Sequence, residues 1–123
     1  MNSILLLLAA ALCIITALIH SFVGEKRLIS PLIKSNHGVM TNPLAKEVIR
    51  FAWHWTSALW FLIAAYLGLV TFDEKMASPL LLWAIGLVHI AAGLFDALIT
   101  KGKHIGWPPI TAIGVLISLG MLS

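Results

Sequence analysis

Small and polar residues recur along this chain at alternating steps of three and four. The clearest run is 86–100. There Gly86, His89, Gly93, Asp96 and Thr100 follow one another at steps of three, four, three and four, with only Leu, Ile, Val, Ala and Phe between them. On an α-helix such spacing places all five on one face and leaves the opposite face pure hydrocarbon. The same device appears three more times: Ala9, Cys13, Thr16, His20 and Gly24; Arg50, His54, Ser57 and Phe61; and Thr111, Gly114, Ser118 and Met121. Each stripe sits within an apolar stretch, at about 4–23, 48–71, 79–100 and 105–122. Each stretch comes near the ~20 residues that cross a hydrocarbon layer. The pattern predicts an all-α membrane protein, a single transmembrane domain over 1–123 in which four helices form an antiparallel up-down-up-down bundle with the striped faces inward.

Local signals set the expected ends of these helices. Asn42-Pro43 and Ser78-Pro79 each pair an N-cap with a proline suited to the first helical position. Gly24 reads as a helix stop after the first span, and Gly102 as the cap ending the third. Pro108 and Pro109 fit only the first turn of the last helix, which leaves His104 in the preceding loop. In the long connection 25–47, Leu28, Ile29, Leu32 and Ile33 suit a short interfacial segment, and His37-Gly38 a turn. Trp53 and Trp55 read as head-group anchors, while Trp60 lies deeper and packs between helices.

Composition excludes the main alternative class. Of 123 residues, 60% are hydrophobic and only 11% charged, where a water-soluble domain carries about 25%. The net charge of +3 is not a nucleic-acid signal, because seven of the eight basic residues lie in the two connections 25–50 and 101–103 and only Lys75 lies in the other. That asymmetry predicts both basic loops, including 25–47, in the cytoplasm of a bacterial inner membrane and both termini on the far side. The expected partners are the lipid bilayer and further copies of the chain or a larger membrane complex. Cys13 is the only cysteine, so neither a disulfide framework nor a thiolate cage is available.

Asp96 is the only acid within an apolar run. Ionisable residues at membrane depth mark functional sites by default. Counted from the charged edge, His20, His54 and Asp96 reach a similar depth from three helices, with Glu25, Arg50 and His104 around the mouth. Two imidazoles and a carboxylate are a ligand set for a transition metal ion such as Fe, Cu or Zn, with Glu25, Arg50 and His104 as second shell or gate. His89 lies about 10 Å deeper. A haem b, which spans several helical turns, is the cofactor that would use it, with Gly86 and Gly93 leaving room for the ring. Two other readings stay open. One is a non-catalytic accessory or scaffold subunit, in which Asp96 pairs with Arg50 and the cluster docks the helices. The other is a proton-coupled or small-solute transporter, although the outer halves of the helices carry few polar groups.

The segments His20-Ser-Phe-Val-Gly24-Glu25 and Arg50-Phe-Ala-Trp-His54-Trp-Thr-Ser57, with Gly102-Lys-His104-Ile-Gly-Trp107-Pro108, resemble those of a family of small four-span integral membrane proteins of proteobacteria. The resemblance covers the whole chain. It implies an inner-membrane location and supplies no activity. The plan of four short spans is also similar to the DoxX-like group, on fold alone.

Overall fold

A computed structural model describes residues 1–123 as helices joined by short turns. Four helices account for the fold: α1 (Ser3–Ser35), α2 (Pro43–Phe72), α3 (Pro79–Ile99) and α4 (Trp107–Leu122). The first three are long and apolar enough to cross a membrane; α4, with 16 residues, is shorter. Their starts follow the sequence signals. Asn42 caps α2 by accepting from the Leu44 amide at 2.9 Å, and Ser78 caps α3 by accepting from Leu81. Asn2 caps α1, and its own amide donates to the Gly120 carbonyl at 2.8 Å, tying the start of α1 to the end of α4.

Gly24 does not stop α1. The helix runs on to Ser35, passing through a π-helical segment, Ile19–Ile29, that leads directly into Ser30–Ser35. The expected separate interfacial segment is therefore the last part of α1. The true stop is Asn36, in the left-handed region at φ 51°, followed by Gly38 at φ 56° and a 3₁₀ turn. Long π-helical stretches are rare, and π turns concentrate at functional sites. This one carries His20, Ser21 and Glu25. Within it, Ser21 and Glu25 both meet His54 of α2.

Small residues make the seams. A Cβ at Gly93 would run into Thr111, and one at Gly114 would strike the Gly86 carbonyl and lie 2.7 Å from the Ile90 amide, so α3 and α4 touch backbone to backbone. Close approach of this kind is how helices associate when no water drives them together. Leu6, Ala9, Ala10 and Cys13 of α1 meet Ala64, Leu67 and Val70 of α2, Leu82 of α3 and Ile113 and Ile117 of α4 in one buried cluster. Glu25 faces Arg50 while His20 faces Ser57, and Gly93 faces Thr111 while Gly86 faces Ser118. Rising residue numbers in one helix thus meet falling numbers in the next.

Large hydrophobic side chains lie mostly outside. Phe72, Leu80 and Leu98 are 88%, 82% and 77% exposed, and only 20 of 123 residues are buried. Inside-out apolarity of this kind suits a lipid surround. The predicted inward stripes hold for α1 and α3, where Ala9, Cys13 and Thr16, and Gly86, His89 and Gly93, are buried. In α2 the stripe is corrected beyond Ser57: Phe61 is 43% exposed, and Ala64, Leu67 and Val70 carry the inner face. Two faces of α4 are engaged. Thr111, Gly114 and Ser118 meet α3, and Ile113, Ile117 and Gly120 meet the core and α1.

Candidate functional site

The polar residues gather where the π-helical part of α1 crosses the first half of α2. Trp53 lies flat on His20, and the edge of Trp60 meets the same imidazole with centroids 5.3 Å apart. Gly24 makes the stack possible, because any Cβ there would occupy the space of the Trp53 ring. Trp53 Nε1–H also donates to the His20 carbonyl at 3.0 Å. Trp53, expected at head-group level, is thus also a packing partner of His20 between α1 and α2. Trp55 is 54% exposed, and Trp60 packs between helices as its depth indicated.

From His20 a line of polar atoms runs outward. His20 Nδ1 lies 3.1 Å from Ser57 Oγ, Ser57 Oγ lies 2.9 Å from Ser21 Oγ, and Ser21 Oγ lies 2.9 Å from His54 Nδ1. Each hydroxyl has one proton to give. The three bonds therefore share one sense, from His54 to His20 or from His20 to His54, according to the tautomers the two imidazoles adopt. His54 Nε2 lies 3.3 Å from Glu25 Oε2, and Glu25 Oε1 accepts from Arg50 Nη2 at 2.9 Å and from Ser30 at 2.7 Å. Glu25 lies past the apolar run. Its bond from Ser30 is the main cause holding its carboxyl below the usual carboxylate range; Arg50 and His54 act in the same direction, while partial burial opposes them. The partner of Arg50 is therefore Glu25, not Asp96.

Asp96 belongs to a second pair. Beyond α3 the chain turns through Lys101 and Gly102, at φ 54° and 71°, and folds His104 back so that its Nδ1 lies 2.6 Å from Asp96 Oδ2. Gly106 seats the ring, since a Cβ there would lie 2.6 Å from His104 Cε1. Of the three residues expected to share one metal ion, His20 and His54 thus lie along the serine-bridged file and Asp96 pairs separately with His104. No group of three or more His, Cys, Asp or Glu side chains is placed to hold a metal ion, and the donor geometry gives no support to a metal or haem centre. Deeper in the bundle, His89 Nδ1 lies 2.8 Å from the Ile85 carbonyl and its Nε2 accepts from Trp60 Nε1 at 3.2 Å. Both ring nitrogens are engaged, Nδ1 within α3 and Nε2 in bridging to α2.

Two hollows flank this network. One, of about 570 Å³, is open and polar, with Glu25, His54, Ser21, Lys26 and Lys34 on its walls. The other, of about 340 Å³, lies between α1 and α4. Its walls are mainly Ile15, Ile19, Val23, Ile105, Pro109 and Ile110, with His20, Trp53, Trp60, His104, Arg27 and Thr16 among the rest. Thr16 is 7% exposed, and its hydroxyl has no hydrogen-bond partner. Buried hydroxyls are normally paired; this oxygen is enclosed by protein rather than open to the cavity. Sequence reasoning missed this cavity and the bridging roles of Ser21 and Ser57. The serines carried no motif, and the cavity is lined from three helices and a loop that no sequence period brings together. Comparison with protein-family models, curated proteins and solved structures finds no match for this chain.

Proposed function

We propose that this chain is a four-span inner-membrane protein that binds an amphiphile with an acidic head in the cavity between α1 and α4, near the cytoplasmic face. The up-down-up-down order, with loop 25–47 in the cytoplasm, follows from the basic residues of the two connections on one side. The carrying observation is the wall of the 340 Å³ cavity: aliphatic and aromatic throughout, with Arg27, His20 and His104 as its ionisable groups and no carboxylate. A low-dielectric hollow with only cationic or proton-donating heads selects a negative or acidic group. The volume lies at the low end for small-molecule sites. It suits a head and the first part of one chain, the remainder passing out between α1 and α4 into lipid.

Native mass spectrometry of the protein extracted in mild neutral detergent tests this reading. A retained acidic amphiphile supports it. Retention of neutral lipid alone, or of nothing, counts against it. A scaffold role, with the network serving only to dock α1 on α2, is favoured by the serine bridges between His20 and His54, but it leaves the carboxylate-free, cationic wall of the cavity unexplained.

A further inference from the structure

The two hollows are joined by an unbroken file of proton-carrying groups. It starts at Glu25 and His54, on the wall of the open polar hollow, and passes through Ser21 and Ser57 to His20, on the wall of the apolar one. Every link of the file except the first is a hydrogen bond of 2.9–3.1 Å, and the first is a 3.3 Å contact between His54 Nε2 and Glu25 Oε2. With one proton on each hydroxyl the three bonds share one sense. In the sense that leads to the apolar hollow, His54 donates to Ser21, Ser21 to Ser57 and Ser57 to His20, with His20 Nε2–H at the end. A network that only docked helices has no need of an end in each of two separate hollows.

We propose that Glu25, His54, Ser21, Ser57 and His20 form a proton relay from cytoplasmic water to the cavity, where it protonates the carboxylate head of a bound weak-acid amphiphile. This rests on the cavity reading and names its substrate class. His54 takes a proton from water at Nε2, with Glu25 stabilising the imidazolium, and releases the one on Nδ1 to Ser21. Ser21 passes its hydroxyl proton to Ser57, and Ser57 passes its own to His20 Nδ1. His20 then gives its Nε2 proton to the carboxylate, which becomes the neutral acid. One proton leaves water and one arrives on the head, so charge and atoms balance. Rotation of the two hydroxyls and return of the two imidazoles to their first tautomers reset the file.

The surrounding charges bring the acidic head to the end of the file. At the entrance Glu25 is accompanied by Lys26, Lys34 and Arg50, and the ring pair His54 and Glu25 holds the incoming proton. At the exit His20 faces Arg27 and His104, and His104 is held by Asp96. These groups draw a carboxylate to His20, and proton transfer then lets the head leave toward lipid uncharged.

The relay is tested without any amphiphile, so that its failure and the failure of the cavity reading are separable. The full chain with ¹⁵N-labelled histidine, in nanodiscs of neutral phospholipid, is observed by NMR for ring tautomers and for exchange of ring protons with water. The expected result is His20 protonated at Nε2 with Nδ1 accepting. Ser57→Ala should slow exchange at His20 roughly a hundredfold, the scale of a lost positioned proton carrier, without altering His54, and Ser57→Thr should restore it. If Ser57→Ala does not fold, Ser21→Ala cuts the file one link earlier. The wild-type tautomer is a readout of its own. A His20 protonated at Nδ1, or exchange unchanged when either serine is removed, overturns the relay.

Discussion

Trp53 lies flat against His20, with ring centroids 3.9 Å apart and planes 13° from parallel. The stack fixes the imidazole between the two hollows, so that one nitrogen meets Ser57 and the other is directed away from it. It depends on Gly24, the position at which the indole crosses α1. One glycine therefore sets the geometry of the whole polar crossing.

Gly24→Ala is expected to destabilise the protein by about 1–3 kcal/mol, the usual cost of overpacking, despite the better helix propensity of alanine. Thermal unfolding in detergent reads the loss. In a Trp53→Leu background the same change should cost much less, because the two positions couple through direct contact. Equal losses in both backgrounds would show that Gly24 serves some purpose other than clearance.

Thr16→Val removes an unpaired buried hydroxyl at nearly constant shape. In the empty protein it should raise stability by about 1 kcal/mol, the lower range for an unsatisfied polar group. A variant less stable than wild type in the empty state would indicate that the hydroxyl has a protein partner.

Much of this was legible in the residue pattern, for reasons that are local. Asn42-Pro43, Ser78-Pro79 and Gly102 act through the backbone next to them, so their roles can be read without knowing the fold. The stripe Gly86, His89, Gly93 depends only on helical period, and it is buried as expected. What escaped depends on neighbours. Gly24 carries the composition of a helix stop, yet its purpose is set by a tryptophan 29 positions on. The π-helical turn shifts the facing of Ser21 and Glu25 relative to an ideal α-helix, so depth counted at 1.5 Å per residue could not reveal which partners they meet. Asp96 looked free to join His20 and His54 because the fold-back of His104 is a loop conformation, and no periodicity encodes it.

The Glu25 carboxyl, held below its usual range chiefly by Ser30, makes a pH prediction whose sign is fixed. A carboxylate depressed in the folded state contributes stability that is fully present above the unfolded value, about 4.3, and is lost as pH falls through the folded value. Melting temperature should therefore drop on acidification below that point more steeply in wild type than in Glu25→Gln. Parallel curves for the two proteins would mean that the contacts of Glu25 with Ser30, Arg50 and His54 add nothing to folding.

The central claim, a cavity selective for an acidic head, is tested most directly by thermal unfolding of the purified protein in neutral detergent with a fatty acid and, separately, with the fatty alcohol of the same chain. A ligand that binds only the folded state raises its melting temperature in proportion to affinity. The acid is expected to raise it and the alcohol to leave it near the unliganded value, with the difference abolished in Arg27→Gln. Equal shifts from acid and alcohol, or no shift from either, would contradict the account.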